Sequence, residues 1–198
     1  MEYPAETDFK GTVMISPAGK GIAEFTTGDR HYIMSLGLTM TDPMLFDQER
    51  IERFSKTISP AKQKQLFNLV RGVSGHLEVE HGKFGPHRRL LFFDYNEERA
   101  YVEVDHVWED LVAYFKQKKR KNKKTIYGLP ASPGRATGRC LVLHHESIGM
   151  FNRVKEGKIL VADTTTPEMT PLMKKAAAIV TDLGGVTCHA SIVCRELG

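Results

Sequence analysis

Residues 179–198 read IVTDLGGVTCHASIVCRELG. An apolar, strand-like run over 176–180 meets Thr181 and Asp182. Gly184 and Gly185 then make a turn, and helical periodicity follows His189. The order strand, glycine turn, histidine, helix sets one imidazole at a helix N-terminus. Unpaired backbone N–H groups and the positive end of the helix dipole make a phosphate easiest to hold there.

A neutral imidazole is a good nucleophile at physiological pH because its pKa lies near neutrality. Attack on phosphorus gives a phosphoramidate, which can pass the phosphoryl group onward. Gly184 and Gly185 allow a tight turn and are expected to present N–H groups as an anion nest. Thr187 offers a hydroxyl close to His189, while Ala190 and Ser191 are small and keep the approach open. A plainer reading stands beside this one: a lone histidine after a glycine turn is commonly a cap or a surface residue, and short motifs give false matches. No metal site is expected. Cys188 and His189 are adjacent and point apart, and no second Cys/His cluster has zinc-ligand spacing. A Ser191, His189 and Asp182 triad lacks a nucleophile elbow, and neither a Walker loop nor a GxGxxG element is present.

Outward from this stretch, residues 158–162 (KILVA) have the composition of a short buried strand. Residues 164–171 form a polar loop with two prolines, and 172–178 predict a short helix leading into a strand over 178–181. Residues 126–143 place two prolines and three glycines ahead of a β-rich stretch. Further upstream, residues 1–115 read as a mixed α+β unit. Short strands are expected within 11–25 and 30–36, helices over 43–54 and 60–70, and strands over 76–79, 88–93 and 99–104. The last two are expected to form a hairpin through 94–98. Asp105 is then expected to cap a helix carrying Val107, Trp108, Leu111, Val112, Tyr114 and Phe115.

Between the two regions, residues 116–124 hold seven lysines and arginines in nine positions. The net charge of +4 comes from this block, and the remainder is mildly acidic. Like charges with nothing apolar to bury favour a solvated helix end running into a linker, and we place a boundary at 116–125. Nucleic-acid binding is the weaker reading, since no aromatic residues are interleaved. With 41% hydrophobic and 26% charged residues the composition is that of a globular protein, and no apolar run is long enough to span a bilayer. The acidic N-terminus predicts no secretory leader. Three cysteines without CxxC spacing suit reduced thiols, so a cytoplasmic location is expected.

The string from Thr181 to Gly198 resembles the active-site signature of the phosphohistidine swivelling, or mobile, domain of phosphoenolpyruvate (PEP)-utilising enzymes. That group includes pyruvate phosphate dikinase, phosphoenolpyruvate synthase and enzyme I of the sugar phosphotransferase system. The matching residues are Thr181, Asp182, Gly184, Gly185, Thr187, His189, Ala190, Ile192, Val193, Arg195, Glu196, Leu197 and Gly198. Upstream, Gly128, Ala131-Ser132-Pro133-Gly134 and Gly138 look like the segment leading into that domain. Residues 157–162 and Thr166-Pro167-Glu168-Met169-Thr170-Pro171 look like its central strand and loop. Cys188 stands where serine is commoner, and Ser191 where alanine is; both are small.

The resemblance implies an α/β fold: a β/β/α swivelling domain over 126–198, preceded by a small α+β domain of unknown function over 1–115. It implies that His189 is the residue phosphorylated, with Gly184, Gly185, Thr187, Cys188 and Ala190 forming the phosphate loop. Thr187 matches a threonine that is itself a regulatory phosphorylation site in some relatives. The family continues past this point with a further strand and helix, so the domain is expected to be cut short. The chain is therefore expected to be a phosphotransferase component, not competent alone. It would hold no cofactor itself, with Mg²⁺ and ATP or PEP at partner domains. Those partners are an ATP-grasp nucleotide-binding domain, a PEP/pyruvate-binding domain, or both, in cis or in trans. The alternative is a non-catalytic swivel-domain module serving interaction or regulation.

Overall fold

The computed structural model of the chain describes residues 6–28, 38–94, 104–117, 125–144 and 155–198. The strand expected over 30–36 and most of the basic block lie outside these residues, as do nearly all of the 94–98 loop and the 99–104 strand of the expected hairpin. The described architecture is mixed α/β, with one antiparallel and one parallel sheet.

The antiparallel sheet has six strands: β1 (Glu6–Ile15), β2 (Gly21–Thr27), β3 (Met44–Phe46), β4 (Ile51–Arg53), β5 (Gly75–Phe84) and β6 (His87–Asp94), in the order β4-β3-β2-β1-β5-β6. Side chains alternate between faces with period two, so β1 and β2 supply both of the cores that flank this sheet. Val13, Ile15, Ala23, Phe25, Met44 and Phe46 face helix α1 (Pro60–Val70), which contributes Leu66, Phe67 and Val70. Met14, Ile22 and Leu45 face helix α2 (Val104–Lys116), which contributes Val104, Val107, Trp108 and Leu111.

Two helices were expected in this half, over 43–54 and 60–70. The second is α1, with Ser59 as N-cap and Pro60 in the first turn. The first is instead the β3–β4 pair. Asp47 breaks any helix there: its Oδ1 accepts from the Glu49 and Arg50 amides at 2.8 and 2.9 Å and folds the chain back. β5 extends from Gly75 to Phe84, well past the expected 76–79, and it pairs with β6 through Gly85 at φ +58°. Val104 belongs to α2, not to a strand. Asp105 lies inside the first turn of that helix, where its carboxylate accepts from the Ser16 hydroxyl at 2.6 Å.

The parallel sheet joins β7 (Cys140–Leu143), β8 (Ile159–Ala162) and β9 (Ala178–Thr181) in sequence order. The β-rich stretch expected after the prolines and glycines of 126–143 is β7. A 3₁₀ turn (Pro167–Met169) and helix α3 (Thr170–Met173) fill the expected loop, so the helix comes earlier than 172–178. Pro167 and Pro171 each occupy a first-turn position, where the missing N–H costs nothing. Leu143, Leu160, Ala162, Met169, Leu172 and Met173 form the core here. Val193 and Cys194 of helix α4 (His189–Leu197) pack against it.

Candidate functional site

The site is built on the crossover from β9 to α4. The chain leaves β9 with Asp182 N donating to Ala162 O at 3.1 Å and Leu183 N to Asp163 O at 3.0 Å, which ties it to the end of β8. Gly184 has φ +116°, a backbone region that favours glycine. Its N–H donates to Thr39 O at 3.0 Å, next to a parallel bridge between Met40 and Gly184. Cys188 is the N-cap of α4 in extended geometry and makes no side-chain capping bond. Its buried thiol lies 3.4 Å from Ser191 Oγ, and Ser191 in turn donates to Gly185 O.

His189 is the first residue of α4, and Ala190 is buried behind it. The imidazole is half-buried, with Nδ1 2.9 Å from the hydroxyl of Thr165, itself buried, in the loop after β8. Thr165 was not among the sequence candidates. Nothing local to position 165 marks it, because the contact spans 24 residues and exists only once β8 and β9 pair. Burial pulls the His189 pKa below its ordinary value. The nearby carboxylates of Glu168 and Glu196 pull weakly the other way, so the neutral ring is favoured on balance.

The other expected phosphate-loop groups point elsewhere. Val186 N donates to Glu24 Oε1 at 2.9 Å, and Thr187 N to Glu24 Oε2 at 2.8 Å. The Thr187 hydroxyl also donates to Glu24 Oε2, at 2.5 Å. The N–H groups that converge on an anion are thus those of Val186 and Thr187, on a carboxylate from β2, while the Gly184 N–H, expected in an anion nest, donates to the Thr39 carbonyl. Arg195, buried on α4, donates to Val186 O at 2.8 Å and to Ala131 O at 2.7 Å, so the loop and the segment before β7 share one guanidinium. Among the described residues, no group of three His, Cys, Asp or Glu side chains is placed to hold a metal ion, and no helix is long and apolar enough to cross a membrane.

Comparison with known proteins finds relatives of the segment that holds this site. Residues 154–198 match the family model described as PEP-utilising enzyme, mobile domain. The chain is 55% identical over 78 residues to a probable phosphoenolpyruvate synthase of Archaeoglobus fulgidus, covering 39% of this chain and 10% of that protein. It is 56% identical over 73 residues to the phosphoenolpyruvate synthase of Pyrococcus furiosus, covering 37% of this chain and 9% of that one. With the phosphoenolpyruvate synthase of Aquifex aeolicus the identity is 44% over 94 residues, or 46% of this chain and 11% of the relative. The matched part thus spans about a tenth of the length of these relatives. Residues 154–198 are therefore similar to the mobile domain of PEP-utilising enzymes, and the surrounding stretch to the corresponding part of these phosphoenolpyruvate synthases.

Proposed function

We propose that this chain is a phosphohistidine carrier in a PEP-utilising phosphotransferase, with His189 accepting the phosphoryl group. The observation that carries this reading is the Thr165–His189 contact at the start of α4. In the tautomer in which Nδ1–H donates to Thr165 Oγ1, the free lone pair lies on Nε2. A ring kept neutral by burial is the nucleophilic form.

The transfer follows from that arrangement. The Nε2 lone pair attacks phosphorus, the bond from phosphorus to the donor oxygen breaks, and the electron pair leaves with the donor. The proton on Nδ1 stays in place, so in the onward step the ring departs as neutral imidazole. Positioning and charge stabilisation do most of the work in such transfers. Mg²⁺ with ATP or PEP would supply charge neutralisation at partner domains, an ATP-grasp domain or a PEP/pyruvate-binding domain. In this reading residues 126–198 act as the swivelling unit, 116–125 as its linker, and 1–115 as a separate α+β unit.

The reading is tested by incubating the chain with the catalytic domains of a phosphoenolpyruvate synthase, Mg²⁺ and ³²P-labelled PEP. Acid-labile, base-stable label is expected on the wild type and none on His189→Ala. Label that survives the substitution would sink the proposal. Absence of label on both proteins would favour the non-catalytic module instead, a reading that draws on the occupation of the loop donors by Glu24.

A further inference from the structure

Glu24 is fully buried on β2, on the same sheet face as Ile22. An ionised carboxylate is costly to bury unless donors surround it. Here four donors converge. Thr41 Oγ1 and Val186 N serve Oε1, while Thr187 N and Thr187 Oγ1 serve Oε2. Three of the four come from the histidine loop, more than 160 residues away in sequence. Two successive backbone N–H groups, those of Val186 and Thr187, aimed at one anion make an anion-binding nest.

Two further observations fit the same contact. A Cβ on Gly185 would lie 1.8 Å from Thr41 Oγ1 and 2.4 Å from Glu24 Oε1, so the close approach needs glycine at this position. Val186 is fully buried among Met14, Ile22, Leu45, Val107 and Leu111, a plug beside the carboxylate.

We propose that the N-terminal sheet is a docking site for the histidine loop, with the Glu24 carboxylate as the anion the loop recognises. In the docked state the Val186 and Thr187 amides are not available to another anion, and the Thr187 hydroxyl is shielded from modification. Release of the loop exposes all three together. This goes beyond the carrier reading and does not require that His189 be phosphorylated.

Hydrogen–deuterium exchange on the full chain tests the dock. In the wild type, the Val186 and Thr187 amides should exchange at least about tenfold slower than in an unstructured peptide. They should still exchange faster than Val13 and Val79 of the β1–β5 ladder, because the loop opens without unfolding the sheet. Glu24→Gln should speed exchange at both loop amides by about tenfold or more while Val13 and Val79 stay protected. Gly185→Ala, acting from the other side of the contact, should do the same. The proposal is overturned if the wild-type loop amides are unprotected, or if they exchange only as slowly as the sheet. It is also overturned if a folded variant keeps its loop protection, or if both variants lose the sheet itself.

Discussion

His189 was legible in the sequence because its setting is contiguous: glycine turn, small neighbours and helix lie within ten residues of it. Thr165 was not, since its hydroxyl reaches the ring only through the pairing of β8 with β9. If Thr165 holds the ring, Thr165→Val should slow phosphorylation of His189 by about 10- to 100-fold. Thr165→Ser should restore most of the rate, as measured by label incorporation over time. The lowered His189 pKa gives a second expectation. Followed by NMR, the ring should titrate below the ordinary value of about 6.5. Glu168→Gln should move the midpoint lower still, because that carboxylate opposes the shift. As pH falls, the unfolded chain takes up this proton first. The stability tied to the neutral ring is present above the unfolded pKa and is lost as pH falls through the folded one. A thermal-denaturation series on wild type and His189→Ala should show that difference emerging as pH falls below about 6.5.

At the scale of elements, the sequence was most readable where periodicity and capping agreed. Residues 60–70 carry a serine cap, a first-turn proline and apolar spacing, and they form α1. Residues 43–54 carry apolar residues compatible with either period, and their outcome was decided by the Asp47 turn and by pairing with β2. Burial on α1 also includes a polar residue that the apolar pattern passes over. Gln63 is fully buried, accepting from Ser55 N at 2.8 Å and donating to Ser55 O and Ile58 O at 2.8 and 2.7 Å. It fastens the chain after β4 to the helix. Gln63→Leu should leave those backbone groups without partners and cost about 2–4 kcal/mol of stability in denaturant unfolding. An exposed neighbour such as Lys64→Ala should change stability by less than about 0.5 kcal/mol.

Over the whole molecule, the sequence supports a mixed α/β reading with a basic block between two textures. It does not reveal that one face of the antiparallel sheet receives Val186 and that Glu24 meets the histidine loop. A glutamate in an alternating strand reads as solvent-facing, and only the tertiary fold turns it inward. If this contact is a dock, carriage of a phosphoryl group between partner sites includes a release step at the sheet. The proposed phosphorylation of His189 can be read at the level of the single ring atom. After labelling from PEP with the complementary catalytic domains, ³¹P and ¹H–¹⁵N NMR of the intact chain identify the phosphorylated atom. One phosphate per chain is expected, on Nε2 of His189. A phosphate on Nδ1 of that ring, or on any other residue, would contradict it.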